Sequence, residues 1–380
     1  MTSEAGFGRA PAEPSPATAK AQPATRPVDF VKKVGKGRTL SADLTALESR
    51  TAFNQLLDGA FLPVQAGAFL QALRIKELTQ EELDGLVDVF RSRLVPQPPL
   101  AGRKTLVLNL ASDTQRKGGL ASLLAAHLLR RFGVGVGLVR SAPVLQKNRA
   151  SFDDTWELAK LLDPSGPLFP AADSAASAAG TTADTASPAP APVLLDCGAV
   201  IPGLASLDEL RSQLGFRSCL HTAEKLVNPW PASPMLLGIS HKHYALRMAG
   251  TMADLGLFGK ILLGNHGTVD LVLHKETECV SVDAGTGAGK GSIREESVAP
   301  ADLGLELSSD VYSLGKFPQW REWMDAMAGG GTPEADRARD NGLRRAVQYH
   351  LAVLLWAAGV AENPAAGLTA AGAAIPRLFQ

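Results

Sequence analysis

The sequence predicts an α/β protein with a small all-helical N-terminal domain and a larger domain whose mostly parallel sheet is flanked by helices. Two observations predict it. Residues 28–95 carry capped amphipathic helices closed by Pro96, Pro98 and Pro99, and beyond them short apolar runs alternate with helical patterns. Composition agrees. The chain has 380 residues, 45% apolar and 20% charged, which suffices for a sizeable core in two lobes and excludes wholly disordered, collagen-like and coiled-coil classes.

Residues 1–27 are rich in Ala, Pro, Thr and Ser without apolar periodicity, the composition of a disordered tail. In the domain 28–95, Thr45 and Glu48 form a T-x-x-E capping box, with Leu47, Phe53, Leu56 and Leu57 as apolar positions up to a stop at Gly59. Pro63 suits a first helical turn, and Phe69, Leu70, Leu73 and Ile75 give the next helix its buried stripe. Thr79 and Glu82 repeat the box and open a third helix through Leu83, Leu86, Val87, Phe90 and Leu94.

In the domain 100–380, Thr105–Leu110 reads as a buried strand, Leu120–Phe132 as a helix ended by Gly133, and Val134–Val139 as a second strand. Asp153–Leu162 reads as a helix, and 164–192 is an Ala/Pro-rich insertion with the composition of a mobile loop. Further strands are predicted at Val193–Leu195, Met235–Ile239, Lys260–Leu263 and Val269–His274, with a helix over His243–Leu255 and a helical end from Glu334 onward. The chain start lacks a basic-then-apolar signal pattern, no run reaches the length of a spanning helix, and three scattered cysteines suit buried small hydrophobes. A cytoplasmic protein is expected.

A net charge of zero hides an asymmetry. From Arg26 to Arg149 there are 19 Lys plus Arg against 10 Asp plus Glu, and from Ala150 onward 17 against 26. A basic half can mark a polyanion-binding face or dock on an acidic half.

Two segments carry a family likeness. LLDGAFLPVQAGAFLQALRIKELTQEELDGL, Leu56–Leu86, resembles the helical N-terminal domain of the anthranilate phosphoribosyltransferase family (glycosyl transferase family 3), and LGFRSCLHTAEKLVNP, Leu214–Pro229, is similar to that family's LG.R....L..L.NP segment. The resemblance implies a cleft between a helical and an α/β domain, and a homodimer through the helical domains. It also implies transfer of a phosphoribosyl group from phosphoribosyl pyrophosphate to anthranilate, with magnesium.

The residues that would do this depart from the family pattern. Its glycine-rich GTGGD loop wraps pyrophosphate with bare backbone N–H groups, whereas this chain has Ala111, Ser112, Asp113, Thr114 and Gln115, with no glycine until Gly118. The family's Lys-His-Gly-Asn becomes Val139, Arg140, Ser141, Ala142, and its magnesium-binding Asp-Glu pair aligns with Asp270 and Leu271, so one hard oxygen ligand is missing. The pattern resembles the diverged YbiB-type branch. That likeness implies binding of DNA or RNA without evident sequence preference and no catalytic residue.

On this reading the phosphate backbone meets Arg116 and Lys117 in the first loop, Arg140, Lys147 and Arg149 after the second strand, and Lys32, Lys33, Lys36 and Arg38 near the start of the helical domain. Ser112, Asp113, Thr114, Arg211, Arg217, His221 and Lys225 are cleft candidates. No cofactor, metal or membrane is expected; magnesium and phosphoribosyl pyrophosphate enter only under the transferase alternative. Plainer readings stand beside these. KKVGKGR also suits a solvated terminus, and Arg211 and Arg217 also suit ion pairs inside the large domain. Arg130 and Arg131 suit a helix C-terminus. His241 and His243 lack a third metal ligand, and Gly285–Ser292 fails a Walker loop because Ala284 and Gly291 occupy the required Gly and Ser/Thr positions, leaving a loop or hairpin.

Overall fold

The computed structural model describes residues 25–37, 40–111, 120–141, 189–285, 290–308 and 337–374. Four helices open the described chain: α1 (Pro27–Val34), α2 (Ala46–Leu57), α3 (Pro63–Lys76) and α4 (Gln80–Arg93). Both capping boxes form. The Thr45 hydroxyl accepts from the Glu48 N–H at 3.2 Å while the Glu48 carboxylate accepts from the Thr45 N–H at 2.9 Å, and Thr79 and Glu82 repeat this at 3.3 and 2.8 Å. Phe30, Phe53, Phe69, Leu70, Leu86 and Phe90 pack the centre, none more than 2% exposed. Two expected stripe residues point outward, Leu47 at 69% and Ile75 at 67% exposure. Each lies two residues from an inward position, Ser49 or Leu73, hence about 200° round the helix.

Glu82 is more than a cap. Its carboxylate, fully buried, also accepts from the Leu44 N–H at 2.8 Å and from the Lys76 ammonium at 2.6 Å, so one side chain ties the α1–α2 connection, the end of α3 and the start of α4 together.

The larger domain is a seven-stranded sheet in the order β3-β2-β1-β4-β5-β6-β7, formed by Lys104–Asn109, Val134–Arg140, Val193–Asp196, Met235–Gly238, Gly259–Leu262, Thr277–Val282 and Ile293–Val298 taken in chain order as β1 to β7. The five strands from β3 to β5 run parallel, and β6 and β7 close the edge as an antiparallel hairpin. Helices α5 (Leu120–Leu128), α6 (Cys197–Val200), α7 (Asp208–Leu214), α8 (Cys219–Glu224), α9 (Lys242–Asp254), α10 (Arg337–Ala357) and α11 (Pro364–Ala374) accompany the sheet. Buried side chains form two clusters. One joins the helical domain to α8, α9 and one sheet face, and the other lies under α5 and α10.

The predicted strand at Val269–His274 does not form. Val269, Leu271 and Leu273 are buried, but so is Asp270 between them, and the backbone bonds side chains instead of a neighbouring strand: the Leu271 N–H donates to His350 Nε2 at 3.0 Å and the Val272 N–H to Thr277 Oγ1 at 2.9 Å. An apolar run alone does not make a ladder. The true edge hairpin lies just beyond, and Gly285–Ser292 spans its turn, with 286–289 outside the described residues. The predicted helix over Asp153–Leu162, residues 1–24 of the tail and the insertion up to 188 also lie outside them. Among the described residues no helix is long and apolar enough to cross a membrane.

Candidate anion-binding cleft

Open parallel sheets place ligands beyond the carboxyl ends of their strands. Here Ala111 after β1, Ser240 and His241 after β4, and His266 and Gly267 after β5 form one wall of a cleft of about 400 Å³, and Arg74, Glu77 and Leu78 at the end of α3 form the facing wall. Glycines let the two sheet-side loops meet. A Cβ on Gly238 would sit 1.9 Å from the Thr268 carbonyl, and Gly267 adopts φ +75 with Ser240 against it.

The two domains are bonded across the cleft. The Arg247 guanidinium on α9 donates to the Leu78 carbonyl at 2.5 Å, the Gln80 amide donates to Thr251 Oγ1 at 2.7 Å, and Thr251 donates to Asp84 at 2.7 Å. Arg74 donates to the Arg217 carbonyl. Both non-glycine residues with positive φ among the described residues stand in this cleft: Glu77 at φ 64, ψ 145 and His266 at φ 53, ψ 25. Such backbone costs on the order of 1–3 kcal/mol each and concentrates at functional sites.

The floor is α8. Asn109 at the end of β1 donates to the Glu224 and Val227 carbonyls at 2.8 and 3.2 Å, fixing the helix against the sheet. Glu224 accepts from both terminal nitrogens of Arg211 at 2.8 and 2.7 Å, and the two side chains are 0% and 1% exposed. Arg211 therefore anchors the floor from behind and does not reach a ligand. His221 lies in front of it, with Arg211 Nη2 at 3.5 and 3.4 Å from the two ring nitrogens, a face-on contact. Burial pushes the His221 imidazole well below its ordinary range, and the cations of Arg211, Arg217 and Lys225 push the same way, so the ring is neutral. Lys225 bridges the Gly238 and Gly267 carbonyls at 2.8 and 3.4 Å. Ser218, buried at 5% exposure on the cleft wall, has a hydroxyl without a hydrogen-bond partner among the described residues.

Arg217, His221 and Lys225, expected from sequence, thus converge on the cleft. Arg74, Tyr244, Arg247, His241 and His266 join them from segments that sequence reasoning left out of the site. Among the described residues four cations, Arg74, Arg217, Lys225 and Arg247, line the cleft against one carboxylate, Glu77.

Other expected residues are engaged elsewhere. Lys33 pairs with Glu48 at 2.6 Å and Arg140 with Asp196 at 3.1 Å. Lys32 and Lys36 are exposed at α1 and its end, away from the cleft lining. Arg38, Ser112, Asp113, Thr114, Arg116, Lys117, Lys147 and Arg149 lie outside the described residues. All three cysteines are buried; burial pushes the Cys219 thiol up to about 12 and the Cys279 thiol up to about 11, which leaves no ready thiolate.

Magnesium, which the fold implies, does not fit the aligned residues. Leu271 is buried in the apolar core and Asp270 is 0% exposed, with one oxygen accepting from Thr268 at 3.1 Å and the other lying 3.9 Å from His350 Nε2. The His350 ring is the neutral tautomer, since Nε2 accepts from Leu271 and Nδ1 bonds the Ala346 carbonyl at 2.7 Å. Among the described residues no three His, Cys, Asp or Glu side chains converge as metal ligands.

Comparison with known proteins agrees with this architecture. Residues 28–94 match the helical bundle domain of the glycosyl transferase family. Protein YbiB of Escherichia coli (strain K12), described as uncharacterized, is 25% identical over 256 residues, 67% of this chain and 74% of YbiB. The anthranilate phosphoribosyltransferase of Synechococcus sp. (strain CC9902) is 27% identical over 331 residues, 84% of each chain. The crystal structure of anthranilate phosphoribosyltransferase (TrpD) from Thermus thermophilus superposes with a TM-score of 0.64 at 18% identity, covering 92% of this chain and 95% of that one. Helical bundle, sheet order and structural likeness together show that this chain has the anthranilate phosphoribosyltransferase-like fold, with a glycosyl transferase family helical bundle over residues 28–94.

Proposed function

We propose that the chain is a non-enzymatic nucleic-acid-binding protein that holds a phosphate backbone in the cleft, with little dependence on base sequence. One observation carries the reading. Among the described residues the cleft sets Arg74, Arg217, Lys225 and Arg247 against Glu77 alone, while the aspartate that would hold magnesium is sealed into the core. Fixed side-chain cations suit an extended polyanion, and a single carboxylate offers a divalent ion little to hold it beside a pyrophosphate. The loop sequence Ala111–Gln115, without glycine, supports the same reading. Two copies paired through exposed Leu47, Leu62, Val64 and Ile75 of the helical domain would lengthen the cationic track.

The test is fluorescence anisotropy with labelled single- and double-stranded oligonucleotides over a salt series. Affinity falling steeply with salt supports the reading, with a log-log slope of roughly 0.7–0.9 per phosphate contact. No binding at low salt refutes it.

A second reading, phosphoribosyl transfer to an anthranilate-like acceptor, is favoured by the named activity of the Synechococcus relative and by the shared fold. It requires that phosphoribosyl pyrophosphate with magnesium raise the melting temperature, because a ligand of the native state stabilises it by mass action. A shift at millimolar ligand, together with product formation, would select it.

A further inference from the structure

Flat rings stand beside the charge of the cleft, and those at the start of α9 form a connected set. On α9 the Arg247 guanidinium lies 5.6 Å from the centre of the Tyr244 ring, the His243 ring is 4.3 Å from Tyr244, and His241 stacks on His243 at 5.8 Å with 22° between planes. From the facing domain, Arg74 lies 5.1 Å over the Phe216 ring. His241 and His243 are exposed and Tyr244 is half-buried. Phosphate alone has no use for such faces. Aromatic and guanidinium planes interleaved with cations are what unpaired bases stack on.

We infer that the α9 end of the cleft is a stacking platform for the bases of single-stranded nucleic acid, centred on Tyr244 with His241 and His243. The inference rests on the nucleic-acid reading above and narrows it. A duplex hides the faces of its bases, and a cleft of about 400 Å³ is in the range that holds one small molecule, about 300–1,000 Å³, not a double helix. A single strand can lay a base on Tyr244 while Arg217 and Arg247 take the adjoining phosphates.

Anisotropy of three labelled probes tests it: an oligothymidylate, an abasic strand of equal length, and a duplex, all at one pH and one salt concentration. The oligothymidylate is expected to bind about tenfold tighter than the abasic strand, equivalent to about 1.4 kcal/mol. Tyr244→Ala is expected to collapse that ratio toward one, and Tyr244→Phe to restore it. His243→Ala, at an exposed position, is expected to lower the ratio in the same direction, so a Tyr244 variant that fails to fold does not end the test. Tight binding of both single strands with equal affinity, or a ratio untouched by Tyr244→Ala, overturns the platform and leaves the broader reading intact. Failure of all three probes to bind at low salt overturns that reading and the platform with it.

Discussion

Replacing Glu224 by Gln should cost the protein about 3–5 kcal/mol, because it strands a guanidinium that has nowhere else to discharge. Arg211 is 1% exposed; its two terminal nitrogens both bond Glu224, its Nε has no hydrogen-bond partner among the described residues, and its other carboxylate neighbour, Asp208, is 3.6 Å away and 43% exposed. An exposed pair such as Lys242–Glu278, at 50% exposure on each side, would lose far less by the same change, because solvent screens it. Removing both buried charges, Arg211→Met with Glu224→Leu, should cost less than Glu224→Gln alone, since the desolvation penalty leaves with the pair. Urea unfolding of the three proteins, compared at constant m-value, measures this. Because Glu224 and the flanking His221 and Lys225 share the cleft floor, the single variant should also weaken oligonucleotide binding. A loss below about 1 kcal/mol for Glu224→Gln, or a double variant as costly as both singles added, would refute the buried-anchor reasoning.

The remaining predictions concern single sites. The native state holds His221 and His350 neutral by burial, whereas in the unfolded chain both take a proton near about 6.5; stability is therefore full above that pH and falls as pH drops below it toward the lowered native values. His221→Asn should flatten that fall in urea midpoints between about pH 7 and pH 5, and an unchanged fall would contradict it. Glu82→Gln should destabilise the helical domain by about 2 kcal/mol, with Asp43, 2.6 Å from Lys76, limiting the damage, and amide exchange should rise first at the α2–α4 contact. Gly137→Ala should cost about 1–3 kcal/mol in urea unfolding, because its Cβ would fall 2.2 Å from the Trp230 ring, whose Nε1 is tethered to the Pro98 carbonyl at 2.8 Å.

Much of the fold was legible because its signals are local. The T-x-x-E boxes at Thr45 and Thr79, Pro63 at a first turn and the apolar runs of β1, β2, β4 and β5 each announce themselves within a few residues. The error at Val269–His274 came from reading alternation as a strand when His350, 79 residues away from Leu271, supplies the backbone acceptor. The site was half legible for the same reason. Density of charge drew attention to Lys33 and Arg140, but their partners, Glu48 and Asp196, lie 15 and 56 residues away. Arg247 and Tyr244 sit in a helix that was legible as a helix but not as part of a site, and matter only because the end of α3, more than 160 residues earlier, delivers Arg74, Glu77 and Leu78 opposite them. Arg211 was legible both as a cleft candidate and as an ion-pair partner inside the large domain, and only packing decides for the internal anchor.

The most direct test of the cleft as a polyanion site is the salt dependence of single-strand affinity before and after Arg217→Gln with Arg247→Gln. The account predicts weaker binding to every sequence alike and a log-log slope shallower by about 1.4, two contacts at roughly 0.7 each. An affinity and a slope both identical to those of the unaltered chain would place the phosphate backbone on some other surface and contradict the account.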